Sequence, residues 1–465
     1  MKRQCIVCEQ PARSREHIFP AALGGRRVNK GIYCAKHNNE YGPLAATISV
    51  QLALFNSLLG IRNDHTGKAA SVELEEDPTG RKVVYQDGEL SLKAPEVVSE
   101  RIDGHVKHAE MQFANRDQIQ AWVKEQEAQG LAVSITKIQE HTYIPSALRS
   151  NVSIGGDREG LRSVGYIAQT FFAHYFPDAA RSKEMSEFVQ YTLYDVGRGY
   201  VSWQFNKKID YPQNKFNFGH RVVVGLDRTN SCAYALVDFF STLSFAVNFC
   251  SMTVETDISY AIDIDPFALS PPHDISEAKH LSTFWHSQQT DSSFDVLSTA
   301  IADGTAQAQL STLMKRIEDH QRGKHAEMII EKLALISGPR LSDIPFVAQE
   351  LTDVLRPRVM RLMRYAVDNF AKQRGSAATF IREILGEFVR SNHRSPTGLS
   401  TVAAASLELA CTLLATQIVA EYKTGTLTLG RIELLISGGP GVAIVMKPFF
   451  ELVLRAIGEN PPESW

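Results

Sequence analysis

Residues 5–42 read CIVCEQPARSREHIFPAALGGRRVNKGIYCAKHNNEYG, and they carry most of the chemical information in the chain. This stretch contains two short pairs of soft metal ligands, Cys5 with Cys8 and Cys34 with His37. The spacing Cys-x2-Cys followed by Cys-x2-His is typical of a tetrahedral zinc site. A segment of about forty residues buries too little apolar surface to be stable alone, so we expect a structural Zn²⁺ ion to stabilise it.

A second set of polar residues lies between and just after these ligands: Glu16, His17, Asn29 and Asn38. Histidine is the side chain best suited to act as a general base near neutral pH. Carboxylate and amide oxygens are hard ligands that suit Mg²⁺ or Mn²⁺ better than zinc. The two sets together therefore predict one structural and one catalytic metal.

The combination resembles the HNH endonucleases, specifically the zinc-ribbon subgroup with an EHI-P…LGG core. The resemblance covers residues 3–45, under a tenth of the chain. It implies a ββα-metal fold, in which a β-hairpin and a helix surround one catalytic metal ion. The activity it implies is hydrolysis of DNA phosphodiester bonds, assisted by Mg²⁺ or Mn²⁺.

The resemblance also implies a role for each matching residue. His17 matches the general base that deprotonates the attacking water. Glu16 matches the metal-binding acid, which is Asp in many members. Asn29 matches the residue that orients the histidine through its backbone, and Asn38 matches a ligand of the catalytic metal.

The fourth zinc position departs from the common pattern, since many members have Cys where this chain has His37. We predict that His37 completes the zinc site. The alternative is that His37, rather than Asn38, faces the catalytic metal and leaves the zinc site incomplete.

Two groups of basic residues are candidates for contacts to DNA phosphates. The first crowds the nuclease-like stretch and comprises Arg13, Arg15, Arg26, Arg27 and Lys30. The second follows Pro357, which suits the first position of a helix, so that three arginines would share roughly one helix face. These three are Arg358, Arg361 and Arg364.

The length and composition of the chain indicate an ordinary multidomain globular protein. Its 465 residues predict two or three domains of overall α+β class. We predict an HNH nuclease domain with structural zinc over 1–60, a mixed α+β domain over 61–270 and a mainly α-helical domain over 271–465. With a net charge of −3, any DNA contact must come from local basic patches.

The hydrophobic pattern predicts the main helices and strands. Helical spacing predicts helices over 44–59 and 161–176, and further helices over 342–374, 377–391 and 401–422. Alternating apolar residues predict an antiparallel sheet whose strands include 188–196, 218–227 and 231–240. His65, in the polar loop after the first helix, is a further candidate for the active-site lining.

The cellular setting is predicted from what the chain lacks. We see no run of eighteen uncharged apolar residues and no signal-peptide pattern, so we expect no membrane association. The remaining cysteines, Cys232, Cys250 and Cys411, lie singly in apolar runs and are predicted to be buried packing residues. Unpaired cysteines and a thiolate metal site indicate a reducing compartment, hence the cytoplasm.

Three functions are compatible with the sequence. The first is an endonuclease effector, as in anti-phage defence, whose C-terminal part senses a trigger ligand or partner protein, or assembles a homo-oligomer. The second is a restriction or mobile-element endonuclease whose C-terminal part reads a DNA site. The third is a non-catalytic zinc-ribbon DNA-binding protein. The intact set of Glu16, His17, Asn29 and Asn38 disfavours the third, and the lack of a readable helix-turn-helix favours the first over the second.

Overall fold

Two units, each with its own hydrophobic core, make up the computed structural model of the chain. The structure describes residues 3–77, 80–138, 147–151, 153–205, 214–268, 276–277, 293–336, 338–371 and 398–459. The first unit comprises Met1–Glu75, Arg81–Ala132 and Arg149–Ile317. The second comprises Glu76–Gly80, Val133–Leu148 and Glu318–Trp465.

The N-terminal stretch folds as two short strands followed by a helix. Strands β1 (Glu16–His17) and β2 (Val28–Asn29) pair antiparallel, with Glu16 opposite Asn29 and His17 opposite Val28. The chain turns sharply between them at Gly25, where a Cβ atom would lie 2.0 Å from the carbonyl oxygen of Phe19. Only glycine fits such a close backbone approach, which explains the second glycine of the LGG sequence.

Helix α1 (Ala35–Gln51) begins directly after Cys34, and α2 (Ala53–Leu59) follows after a break at Leu52. The helix predicted over 44–59 is therefore the end of α1 plus α2. Gly60 ends α2 with a φ of 68°, a left-handed conformation that glycine adopts at little cost.

A strand-rich segment follows, with helix α3 (Arg116–Ala128) near its end. Strand β4 pairs antiparallel with β5, and β6 forms a separate two-stranded ribbon with β7. The strands are β3 (Val72–Asp77), β4 (Arg81–Gln86), β5 (Glu89–Leu92), β6 (Glu96–Asp103), β7 (Val106–Gln112) and β8 (Ala147–Arg149).

Helix α4 (Arg158–Tyr175) is the centre of the first unit, and most of its residues are buried. One side packs against α1 and the other against a six-stranded antiparallel sheet of order β14-β13-β10-β11-β12-β9. These strands are β9 (Val201–Trp203), β10 (His220–Asp227), β11 (Cys232–Phe239), β12 (Leu243–Ser251), β13 (Ile258–Ile264) and β14 (Ser276–Glu277).

The strand predicted over 188–196 is wrong. Most of these residues belong to helix α5 (Ser186–Tyr194). Phe188, Val189, Tyr191 and Thr192 are its buried residues. These positions also fit a helical stripe, and the alternating pattern over so short a segment did not separate the two structures.

The core of the first unit runs without interruption from the N-terminal stretch into the sheet. Tyr33 and Tyr41 are fully buried and pack against Tyr166 of α4, with ring centroids 6.4 and 5.0 Å from it. Residues 1–60 therefore share one core with residues assigned from sequence to the next domain. Helix α6 (Ser293–Ala302), assigned from sequence to the third domain, also lies in this unit and packs against β9.

The second unit is mainly helical, as the sequence predicts for this part of the chain. Its helices pack around a core of aliphatic side chains that includes Cys411. Pro357 lies inside a helix rather than at its start, and the predicted helix 377–391 lies outside the described residues. The helices are α7 (Thr305–Leu335, which begins in the first unit), α8 (Ile344–Glu350), α9 (Thr352–Ala371), α10 (Gly398–Lys423), α11 (Leu429–Ser437) and α12 (Gly439–Glu459).

Within the described ranges, no helix taken singly has both the length and the apolar composition needed to cross a bilayer. Two pairs of consecutive helices would be long and apolar enough if each pair were counted as one helix, but each pair is sharply bent at the break between its members. These pairs are α1 with α2, and α11 with the start of α12.

Candidate metal centre and catalytic site

The four predicted zinc ligands come together on two short structures. Cys5 and Cys8 lie in a turn that the Cys5 N–H closes by donating to the Gln10 carbonyl at 2.8 Å. Cys34 precedes α1 and His37 lies in its first turn. The ligand atoms of all four residues lie within 4.8 Å of one another.

The geometry of this cluster fits a tetrahedral metal ion. The sulfurs of Cys8 and Cys34 are 3.9 Å apart, and His37 Nδ1 lies 3.5 Å from Cys5 Sγ and 3.3 Å from Cys34 Sγ. Zinc bonds of about 2.0–2.3 Å in a tetrahedron place neighbouring ligand atoms roughly 3.5 Å apart. The four residues therefore form a possible metal site that is consistent with structural zinc.

The ring of His37 is oriented for this role. Its Nδ1 faces the sulfurs, while its Nε2 lies 3.6 Å from Glu40 Oε2. Histidines that bind zinc commonly present the other ring nitrogen to a carboxylate, which fixes the ring and its tautomer. The structure thus places His37 with the cysteines, which favours the predicted zinc role over the alternative.

The thiols of the cluster differ in acidity. Burial raises the pKa of Cys8 to about 11. Burial opposes ionisation of Cys34 too, but backbone hydrogen bonds from the first turn of α1 lower its pKa below the ordinary value. A helix N-terminus stabilises a thiolate in this way, so Cys34 is prepared to bind a metal cation.

Glu16 of β1 and Asn38 of α1 are both half-buried and lie within hydrogen-bonding distance of each other. The Tyr166 hydroxyl donates a hydrogen bond to Glu16 Oε1, and the Asn38 side chain also hydrogen-bonds the carboxylate. Burial raises the pKa of Glu16, although these two hydrogen bonds oppose the rise. The Oδ1 atom of Asn38 is buried and has no hydrogen-bond partner among the described residues. Because buried oxygens are normally satisfied, this atom is available to a cation.

His17 lies next to Glu16 in β1 but contacts different residues. Its Nε2 is 3.0 Å from Asp64 Oδ2, and its ring packs edge to face against His65 at 4.8 Å. Within the described residues, no hydrogen bond links His17 to Glu16 or Asn38. Glu16 and Asn38 therefore form one group, and His17, Asp64 and His65 form a second.

Asn29 is held by both ends of its side chain. Its Oδ1 accepts from the Gly31 N–H at 2.7 Å, and its Nδ2 lies 2.7 Å from His174 Nδ1. Burial, together with the charges of Arg27 and Arg3, lowers the pKa of His174 to about 4. His174 is thus neutral at physiological pH and can accept the Asn29 hydrogen bond.

Helix α4 supplies contacts that the sequence alone did not reveal. Tyr166, Thr170 and His174 lie four residues apart on one helix face, and they contact Glu16, Tyr33 and Asn29 respectively. Their i, i+4, i+8 spacing among the mainly apolar residues of the second half of the helix was the available signal. The sequence did not tell which distant residues this polar stripe would face.

The basic residues of the N-terminal stretch divide into two kinds. Arg26 is a structural residue, since its guanidinium donates to Ala268 O at 3.2 Å and to Arg62 O at 2.8 Å, and pairs with Asp64 at 3.2 Å. Its side chain is only 6% exposed, so the predicted phosphate contact by Arg26 is not available. Arg27 and Lys30 pair with no carboxylate in the described part of the chain.

This difference predicts opposite effects of neighbouring substitutions. We expect Arg26→Ala to lower the free energy of unfolding by about 2 kcal/mol, because it removes charge-assisted hydrogen bonds from a buried site. If the DNA contacts expected from the sequence are made, Arg27→Ala with Lys30→Ala should weaken DNA binding, with the slope of log K against log salt reduced by about 2, and should change stability much less than Arg26→Ala does. Chemical denaturation and salt-dependent binding assays measure both effects. A stable Arg26→Ala protein that had lost DNA binding would contradict this assignment.

The second basic group, Arg358, Arg361 and Arg364, does not form the exposed helix face that the sequence predicted. Arg358 is 4% exposed and contacts His325, so it does not belong to an exposed phosphate-binding face. Arg361 forms an ion pair with Glu318 at 2.5 Å. The side chain of Arg364 lies outside the described residues. The sequence pattern could not show that a neighbouring helix covers Arg358.

Comparisons with models of protein families, with curated proteins and with solved structures find no match to this chain. The fold and the site geometry therefore carry the functional argument by themselves.

Proposed function

We propose that this protein is a metal-dependent endonuclease of the HNH type that hydrolyses DNA phosphodiester bonds. The observation that carries the proposal is the meeting of Glu16 with Asn38, whose buried Oδ1 lacks a partner, directly beside His17. Two further observations support the same assignment. The strands β1 and β2 are followed by helix α1, and the cluster of Cys5, Cys8, Cys34 and His37 includes residues at the start of that helix.

Glu16 and Asn38 would hold the catalytic Mg²⁺ or Mn²⁺, because a carboxylate and an amide oxygen are ligands that such ions prefer. When bound, the ion supplies Lewis-acid stabilisation of the phosphate charge. Tyr166 orients the Glu16 carboxylate by donating its hydroxyl hydrogen bond. His17 would take the proton from the attacking water.

DNA is the proposed substrate because the same surface region carries cations without acidic partners. In the described residues, Arg3, Arg13, Arg15, Arg27 and Lys30 are exposed or half-buried and form no ion pair with a carboxylate. Unpaired basic side chains gain most from phosphate contacts, which displace counterions from DNA. These contacts supply affinity without sequence choice.

We also propose that the nuclease is a controlled effector, as in anti-phage defence. A nuclease without sequence preference endangers its own cell, so a trigger ligand, a partner protein or assembly into a homo-oligomer would have to limit its activity. One catalytic centre per chain would cut one strand, so cleavage of both strands is simplest with two copies.

Plasmid cleavage tests the proposal directly. Supercoiled DNA is incubated with the protein at several concentrations, with Mg²⁺, with Mn²⁺ or without added divalent ion. We expect nicking only with the divalent ion, and a steep dependence on protein concentration if assembly is required. If the protein is folded and contains zinc, and it binds DNA without ever cleaving it, the nuclease proposal is refuted. A non-catalytic DNA-binding role would then remain.

Glu16→Gln separates catalysis from folding. We expect it to reduce Mg²⁺-dependent nicking about 10²-fold or more, since glutamine keeps a ligand oxygen but lacks the negative charge that attracts a divalent cation. Stability without divalent ion should not fall, because burial penalises the carboxylate, as its raised pKa indicates, and glutamine removes that charge. Nicking rates and urea denaturation measure the two effects. Glu75→Gln on β3 is the matched control, and full activity of Glu16→Gln would refute the metal-ligand role.

A further inference from the structure

The loop after α2 is built to hold one carboxylate against His17. Residues Arg62 and Ala69 form an isolated β-bridge that closes the loop. Within it, Asn63 N–H donates to Lys68 O at 3.0 Å, and Asn63 Oδ1 accepts from the His65 N–H at 2.8 Å. The loop is therefore an ordered structure with its own hydrogen bonds.

Asp64 is fixed relative to β1 through both its backbone and its side chain. Its N–H donates to the carbonyl of Ala21, in the turn between β1 and β2, at 3.2 Å. One carboxylate oxygen lies 3.0 Å from His17 Nε2, and the other lies 3.2 Å from an Arg26 nitrogen. Arg26 is itself anchored on the Arg62 carbonyl, so the carboxylate has little freedom to rotate.

The charge state of Asp64 decides which His17 nitrogen carries the proton. The hydrogen bond from His17 lowers the pKa of the Asp64 carboxyl and, although burial opposes it, the charge of Arg26 lowers it further. An ionised carboxylate can only accept hydrogen bonds. His17 Nε2 therefore donates, and in the neutral imidazole the lone pair lies on Nδ1.

We propose that Asp64, rather than the Asn29 backbone that the resemblance implies, is the positioning residue of the catalytic histidine. It selects the Nε2–H tautomer and leaves the Nδ1 lone pair to accept a proton from the attacking water. This inference rests on the proposed nuclease function and adds a residue outside the stretch that resembles HNH enzymes. His65 restricts the ring further, since it packs edge to face against His17 at 4.8 Å. Orientation of a general base by a carboxylate on its second ring nitrogen is a recurrent device in hydrolases.

Asp64→Asn is the main test, because it keeps the shape of the side chain and removes its charge. We expect kcat for plasmid nicking to fall about 10²-fold or more, with KM for DNA changed less than about twofold. Glu125→Gln, which removes an exposed carboxylate on α3, should retain the wild-type rate. Zinc content and thermal melting establish that each variant is folded, and Asp64→Ala serves as a second variant if Asp64→Asn does not fold.

A spectroscopic measurement tests the tautomer independently of activity. Protein labelled with ¹⁵N-histidine is compared with Asp64→Asn at about pH 8, which lies above the usual pKa of free histidine. The His17 signals are assigned by their absence from His17→Ala. We expect a protonated Nε2 and an unprotonated Nδ1 in the wild type, and a shift toward the other tautomer or a mixture in Asp64→Asn.

The outcomes separate this inference from the proposed function. If the wild type cleaves DNA but folded Asp64→Asn cleaves equally well, the positioning role is refuted and the nuclease assignment stands. Identical His17 signals in the two proteins would also refute it. If the wild type fails to cleave DNA with every divalent ion tested, the proposed function fails. The tautomer measurement alone then decides whether Asp64 fixes the ring.

Discussion

His17→Ala is expected to reduce metal-dependent plasmid nicking about 10²- to 10⁴-fold, which is the usual contribution of a positioned general base. The reason is that the imidazole is the group at this site suited to accept a proton from water at neutral pH. Folding should be retained, because the His17 contacts lie at Asp64 and His65 in a surface loop rather than in the core. Zinc content should also be unchanged, since none of the four cluster ligands is altered.

The matched control is His105→Ala, an exposed histidine at the turn between β6 and β7. It should cleave at the wild-type rate, which shows that the loss at position 17 is specific. Each variant is assayed with Mg²⁺ and with Mn²⁺ over the same protein concentrations. Persistent cleavage by folded His17→Ala would mean that another group activates water, and the catalytic assignment would have to be withdrawn.

Cys5→Ser and Cys34→Ser are expected to lose bound zinc and soluble protein together. A structural zinc site contributes about 10–16 kcal/mol in isolated zinc-finger peptides, so losing one ligand removes a large part of the stability of the segment. Here the damage should spread beyond the N-terminal stretch, because Cys5 and Cys34 belong to the same core as α4 and the six-stranded sheet. Metal analysis and thermal melting measure the two losses.

Cys411→Ser provides the comparison, since this thiol is buried in the second unit and lies far in sequence from the cluster. It should keep its zinc, whatever packing stability it loses. If Cys5→Ser retained the wild-type melting temperature, the metal would have no structural role, and the cluster would need another explanation.

The sequence predicted the metal cluster well because its ligands occur as local pairs. Two residues separate Cys5 from Cys8 and Cys34 from His37, so the spacing indicates directly the geometry of each turn. Burial of Cys232, Cys250 and Cys411 is likewise confirmed, since apolar neighbours in sequence indicate a core position.

Residues whose partners lie far along the chain could not be predicted in this way. Arg26 and Arg27 are adjacent in sequence, yet Arg26 is buried against Ala268 and Asp64 while Arg27 pairs with no described carboxylate. Arg358 was expected on a surface and is covered by His325 on another helix. Periodicity describes the element on which a residue lies, but not what packs against that element.

The hydrogen bond between Tyr166 and Glu16 has a consequence for how the protein is made. The two residues are 150 positions apart, so the carboxylate meets its partner only after translation has passed α4. Chains are synthesised from the N-terminus at about 5–20 residues per second, so Glu16 lacks the Tyr166 hydroxyl for on the order of ten seconds on the ribosome. In the proposed nuclease, a truncated nascent chain would therefore carry Glu16 and His17 without the helix that orients the carboxylate.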